Sequence, residues 1–519
     1  MTRTRLALPV LAALAALAIA GCGGGGESSS DLAGFAAPGS LVFVEGKLRP
    51  TGELKSNADA IASRVAGADS LGALIVEKLE GSARDDGEPF DFATEVEPWL
   101  GEEGAVAFKT VDAENNPTEM VLAVETTDPG AAQEFVDSRA EASRKPYADG
   151  SYEGVDFKVG GSEGQAVGMV EDFLVIAEDE RVFKAAVNAW KGESLADESR
   201  FQDTISNASD GSLADVYLDL GGLMKATEGK FEQQAGQLFK GAGVDLSEAT
   251  AVASVIPGSD RVEVALSSEL SGAERPPQGN ASELIGSLPA NAFAAVGFAE
   301  FSDRLKESLN ELDKEGIPGK VPPNQLKSTL GAMGIDLDKL ADSLEEGAIF
   351  AQGKSRDSLE GALVLTSGSK EAAQTVANLG VLLRNTGTPG VTAVTSSGAS
   401  GFSVRSEELG EKPLVVVAKG ERVAIGYGLA PALAGLSSEG ETLSEKASYK
   451  AAVAALGDTP ISGFVDGPAA LELAEALVPH SKTGFWEAVP YLKKIEFVAI
   501  GSGSEGEMAT AKLIAGLKE

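Results

Sequence analysis

A single order of landmarks, written twice along one chain, constrains this sequence more than any motif in it. The first pass begins after Pro38 with Leu41-Val42-Phe43-Val44, a short apolar run that predicts a strand. A helical pattern runs from Glu53 to about Gly81, and Phe90-Asp91-Phe92 then leads to Pro98-Trp99-Leu100 and the strands 105–108 and 119–124. Pro129-Gly130-Ala131-Ala132-Gln133 opens a helix. Strands at 155–159, 166–170 and 174–176 come before a helix at 181–190. The second pass repeats the markers. Leu288-Pro289 precedes the apolar stretch 293–296, Ile335-Asp336-Leu337 answers Phe90-Asp91-Phe92, and Glu345-Glu346-Gly347-Ala348 repeats Glu102-Glu103-Gly104-Ala105. Ala372-Ala373-Gln374 repeats Ala131-Ala132-Gln133, Gly440-Glu441-Thr442-Leu443 matches Gly192-Glu193-Ser194-Leu195, and Phe464-Val465-Asp466 matches Tyr217-Leu218-Asp219. Each pair is weak alone. Their shared order, at offsets between about 241 and 251, reads as a duplication.

The Pro/Gly-rich polar stretch between the passes, Gly272 to Asn280, predicts a linker. The expected division is therefore residues 36–271 for the first module, 272–282 for the linker and 283–519 for the second module. Each module has a comfortable single-domain size. Strand-to-strand steps predict hairpins, and Pro257-Gly258-Ser259-Asp260 is a turn composition between two of them. Leu122 and Val124, two apart, predict one buried sheet face. The expected fold class is α+β: two tandem homologous modules, each a mostly antiparallel sheet with helices packed on one face.

The first thirty residues carry a second constraint. Arg3 and Arg5 precede an almost unbroken apolar run, Leu6 to Ala20, which is short for a permanent bilayer span. It ends in Ile19-Ala20-Gly21-Cys22, followed by Gly23 to Gly26. A cationic start, a short apolar core and small residues before a cut describe an export signal, expected at residues 1–21. Residues 19–22 resemble the lipobox of bacterial lipoproteins. That resemblance implies acylation of the Cys22 thiol, cleavage before it and, usually, acylation of the new amino terminus. Two or three chains hold a protein at a membrane almost permanently, where one is marginal. The expected location is the outer face of the bacterial cell membrane. Residues 22–35 follow as a Gly/Ser-rich tether, of which Gly23 to Ser30 would reach roughly 15 Å.

Cys22 is the one cysteine in the chain, so once acylated it leaves no thiol for a disulfide, and each core must stand on burial. The chain has 43 basic residues against 79 acidic ones, a net charge of −36. Such a surface repels phosphate backbones and anionic headgroups, and nucleic acid is an improbable partner.

The lipobox, the repeat, Pro98-Trp99-Leu100-Gly101 before a strand and Gly192-Glu193-Ser194-Leu195 before Phe201 together resemble an uncharacterised family of duplicated bacterial cell-envelope lipoproteins, that of domain of unknown function 3352. The resemblance spans nearly the whole mature chain. It implies fold and location, and it brings no activity.

The residues that could do chemistry are few. His480 is the one histidine, and no free thiolate joins it, so zinc and Ser–His–Asp chemistry have little to use. It is expected at the exposed end of a helix and outside catalysis. Gly501-Ser502-Gly503-Ser504-Glu505-Gly506 fits a dinucleotide fingerprint, but the stretch after it alternates as a strand where the fingerprint needs a helix. A hairpin turn is expected there. Asp85-Asp86, with Glu88 and Asp91 behind, could ligate calcium but lacks the loop spacing, and the second pass offers Asp336 and Asp338 alone. Asp219 and Asp466 are expected to cap helices. Trp99, Trp190 and Trp486 are expected in the core. No catalytic, metal or cofactor residue is assigned; Cys22 is the assigned site, for lipid. Three function classes remain, in this order: a non-catalytic surface lipoprotein binding or scaffolding an envelope protein, a carrier of a lipid or other apolar ligand, and an enzyme built from carboxylates.

Overall fold

The computed structural model describes residues 31–518 except 86–88, 113–114, 144–145, 161–163, 228–246, 270–280, 300, 317–321, 333–334, 368–370, 386, 408–409, 438–439 and 506–507. Cys22, the glycine tether, most of the expected linker, Asp86 and Glu88 lie outside the described residues. The chain divides into two compact units, residues 1–274 with 505–510 and 519, and residues 275–504 with 511–518.

Unit one contains β1 (Val42–Lys47), β2 (Leu100–Val111), β3 (Pro117–Thr126), β4 (Ala148–Tyr152), β5 (Val155–Gly160), β6 (Gln165–Val170), β7 (Phe173–Ala177), β8 (Ala214–Asp219), β9 (Thr250–Pro257) and β10 (Arg261–Glu269). Every pairing among them is antiparallel, in the order β4-β5-β6-β7-β3-β2-β1-β8-β9-β10.

In unit two, β11 (Ala292–Phe298), β12 (Leu344–Gln352), β13 (Glu360–Ser367), β14 (Val391–Ser396), β15 (Ala399–Val404), β16 (Leu414–Lys419), β17 (Arg422–Tyr427), β18 (Ile461–Asp466), β19 (Ile495–Glu505) and β20 (Met508–Leu517) follow. Their order is β14-β15-β16-β17-β13-β12-β11-β18-β19-β20. Strand for strand, this is the order of unit one.

The sheets differ from expectation in their cover. Helices lie on both faces. In unit one, Phe43, Ala105, Ala107, Val121 and Ala123 pack with Phe35 and with Val182, Phe183 and Val187 of the helix Glu180–Lys191. From the opposite face, Val106, Leu122, Val124, Leu174 and Ile176 pack with Leu79 of the helix Leu71–Asp85 and with Phe135 and Val136 of the helix Pro129–Ala142. The four residues Val121 to Val124 are consecutively buried, so both parities of β3 face a core. Unit two repeats the two layers. Phe350, Val364 and Phe464 meet Leu284, Leu443 and Tyr449 on one side, and Leu365, Phe402 and Val423 meet Val376 and Leu340 on the other.

Local chemistry explains two further departures. The helical pattern from Glu53 to Gly81 is two helices, Gly52–Ala66 and Leu71–Asp85. Gly67 takes φ 69° at the first helix's end, a left-handed cap whose N–H reaches back to Ala62 and Ser63. The expected turn at Gly501 to Gly503 is strand: β19 runs through to Glu505, and Gly501 sits opposite Ile461. A Cβ at Gly501 would come within 2.8 Å of Leu456 and Thr459, so the glycine admits the end of the helix Ala447–Leu456. Gly506 is outside the described residues.

Candidate functional site

The repeated positions form one small structure, built twice. Ser194 and Asp197 make a capping box around the 3-10 turn Leu195–Asp197, and Thr442 and Glu445 do the same around Leu443–Glu445. Each box drives its leucine inward; Leu195 and Leu443 are both fully buried. The next helix delivers an aromatic ring to the strand behind it. Phe201 meets Tyr217 edge-on at 5.0 Å, and Tyr449 meets Phe464 edge-on at 5.2 Å.

At the end of that strand stands the paired aspartate. The Asp219 carboxylate accepts from the Gly222 N–H at 2.9 Å, and Asp466 accepts from the Ala469 N–H at 3.0 Å. Both cap helices, Leu220–Ala226 and Gly467–Leu477. Their second partners differ. Arg200 lies 3.4 Å from Asp219, whereas Asp466 takes the Lys446 ammonium at 3.0 Å and the Ser448 hydroxyl at 3.0 Å. Asp466 is buried. Burial works against its charge, but the Ala469 N–H, the Lys446 ammonium and the Ser448 hydroxyl outweigh it and hold the carboxyl below its ordinary range. A carboxylate held ionised by three donors serves as an anchor and makes a poor proton shuttle. The neighbouring phenols are also withdrawn from chemistry: burial pushes Tyr449 up to about 12 and Tyr217 further still.

The chemistry-rich single residues are dispersed. His480 is exposed beyond the helix Gly467–Leu477 and stacks on Trp486 with ring centroids 4.4 Å apart. Asp85 is the last residue of its helix, and Asp91 caps the helix Phe92–Glu95 by accepting from Thr94. Asp336 does the same for Lys339. Among the described residues, no group of three or more His, Cys, Asp or Glu side chains could hold a metal ion. Glu346 is pushed upward by burial and then by Glu283 and Glu345. Two surface depressions of about 480 and 520 Å³ lie elsewhere, one lined by Gly164, Asp179, Glu180, Arg181 and Lys184, the other by Ser397, Lys419, Leu433 and Leu436 among others.

The tryptophans divide. Trp99 is buried, its indole N–H donating to the Glu95 carbonyl at 2.6 Å, and Trp190 is half-buried in a parallel stack on Phe35 at 4.4 Å. Trp486 is a correction. It is half-buried on the helix Thr483–Leu492, donates to the Pro479 carbonyl at 3.3 Å and belongs to none of the core clusters among the described residues. Its setting was readable in the sequence, because Lys482 and the pair Lys493-Lys494 bracket Phe485, Trp486 and Tyr491.

The family model of proteins of unknown function DUF3352 matches residues 77–507, and the chain belongs to that family. No curated protein matches it. Among solved structures, crystal form III of TP0453 is similar at 13% identity and a TM-score of 0.26, over 48% of this chain and 83% of that one. Crystal form I of TP0453 covers 79% of this chain and 98% of its own at 11% identity, with a TM-score of 0.19.

Proposed function

Starting from membership in a family without an assigned activity, we propose that this chain is a lipid-anchored, non-catalytic protein of the bacterial cell surface. Its body is two copies of one α+β module, and it binds or scaffolds an envelope component. One observation carries the anchor: the chain's one cysteine stands where the apolar run Leu6 to Ala20 ends, after Gly21 and before four glycines. The identical strand order of the two units supports the duplication. The paired aspartates support a non-catalytic body, since what recurs in both copies is a helix cap.

Replacing the thiol tests the anchor. Cys22→Ser should leave the protein uncleaved or released and free of incorporated palmitate, while the parent chain is labelled and sediments with membranes. Processing and membrane retention of the variant at parental levels would sink the anchor. Native mass spectrometry of protein taken from its own membranes tests the binding role: a retained protein partner supports scaffolding, and a retained lipid favours a carrier.

A further inference from the structure

The helix Thr483–Leu492 is bracketed by cations in an acidic chain. Residues 482–494 hold three lysines against the single acid Glu487, in a protein whose net charge is −36. Lys482 stands at the helix N-cap and Lys493 at its C-cap, with Lys494 next. Lys518 joins them, its ammonium donating to the Lys493 carbonyl at 2.8 Å and its N–H to the Lys494 carbonyl at 2.8 Å. Glu475 pairs with Lys493 at 3.2 Å.

Between the two cationic ends the helix is apolar except for Thr483 and the exposed Glu487. Val489 is its buried anchor; Phe485 and Trp486 are half-buried and meet edge-on at 5.2 Å, and the Trp486 ring also stacks on His480. Tyr491 is 49% exposed, and Leu477, at the end of the preceding helix, is 40% exposed. Aromatic rings with one polar atom, flanked by lysines at both ends, match the layered polarity of a bilayer surface. Rings settle at headgroup depth while lysine stems lie along apolar surface and their ammonium groups reach phosphate. The charge argument selects among surfaces. A body this acidic is repelled by an anionic membrane everywhere except where its own charge is locally reversed.

We propose that the helix Thr483–Leu492 docks flat on an anionic phospholipid surface, with Trp486 and Tyr491 at the headgroup level and the exposed Lys482 and Lys494 on phosphates. The proposal draws on the lipid-anchor reading for the nearness of a bilayer, and for nothing else. Docking would orient the body against the bilayer.

The test uses the chain from residue 22 onward, acylated and unacylated, on vesicles of phosphatidylcholine with phosphatidylglycerol as minor component. A brominated phospholipid is the tryptophan quencher. The parent should be quenched and Trp486→Phe should not, because Trp99 is buried and Trp190 is stacked on Phe35. Without acylation, Lys482→Glu and Lys494→Glu should each weaken vesicle binding by roughly fivefold or more, and added salt should do likewise. Circular dichroism checks that each variant is folded. If Cys22 proves to carry no lipid while the unacylated chain is still quenched through Trp486, the anchor is lost and this proposal stands. Equal quenching in parent and Trp486→Phe overturns it. So does a copurifying protein partner that Trp486→Ala releases when no quenching is seen.

Discussion

One row of side chains crosses the sheet in the same place in both units, and its fate differs. In unit one it runs Ala253, Val216, Val44, Val106, Leu122, Ile176 through β9, β8, β1, β2, β3 and β7. In unit two it runs Ile500, Gly463, Val296, Ile349, Leu363, Ile425 through β19, β18, β11, β12, β13 and β17. Val106, Leu122 and Ile176 are buried beneath the helices Leu71–Asp85 and Pro129–Ala142. Val296 is 52% exposed, Ile349 50% and Ile500 41%. The helix after β11, Phe301–Glu315, is largely charged in sequence, and its Leu305 packs with the Leu344–Leu365 cluster. The strands carry the same apolar pattern in both units while the covering segments differ. A sheet row is a property of strands; its burial is a property of whatever connects them.

The largest test places a carboxylate at matched points of the row. Val106→Asp would bury a charge among Leu79, Phe92 and Leu122 and should cost more than about 4 kcal/mol, enough to unfold unit one. Ile349→Asp leaves its charge in water and should cost about 1 kcal/mol or less. Urea unfolding followed by circular dichroism reads both. An equally costly Ile349→Asp would mean that something covers the row of unit two in solution, and the contrast between the units would vanish.

A second pair of substitutions should show sameness. Leu195→Ala and Leu443→Ala each empty a fully buried site beneath a capping box, and each should cost about 2–5 kcal/mol. Thermal unfolding should place the two losses within about 1 kcal/mol of each other. A large loss at one site with none at the other would show that the matching turns do different work, and that their likeness is shallow.

What the sequence disclosed follows from how local each feature is. The aspartate caps and capping boxes involve residues three apart, so their partners stand beside them in the chain, and the caps at Asp219 and Asp466 could be read directly. The strand order could be expected as a repeat because it depends on apolar runs at matched places. The two-sided cover could not. Val121-Leu122-Ala123-Val124 is apolar at both parities, and the small Ala105 and Ala107 that face the second core give no strong signal. Polar β4, Ala148–Tyr152, escaped for the opposite reason, being a mostly exposed strand beyond β5 with little apolar pattern. Trp486 reads as core from its apolar neighbours alone; Lys482 and Lys493-Lys494 around them carry the opposite signal.

The smallest effect separates the two aspartate caps. Removing a cap costs typically about 1 kcal/mol, which is the expected loss for Asp219→Ala. Asp466→Ala should cost about 2–3 kcal/mol, because it also leaves the buried Ser448 hydroxyl without its acceptor and the Lys446 ammonium with the Ala290 carbonyl in place of a carboxylate. The acid limb distinguishes this account from simple packing loss. The folded Asp466 carboxyl is held below its ordinary range, first against burial and then by the Ala469 N–H and Lys446. In the unfolded chain the same group takes up its proton near pH about 4. Below that point the unfolded state binds a proton that the folded state still refuses. The stabilisation from Asp466 is therefore complete above pH about 4 and declines as pH falls toward the depressed folded value. Stability measured from pH 7 downward should show a constant gap between parent and Asp466→Ala to about pH 5, closing below about pH 4. A gap that stays constant through the acid range would assign the loss to packing and not to the ionised carboxylate.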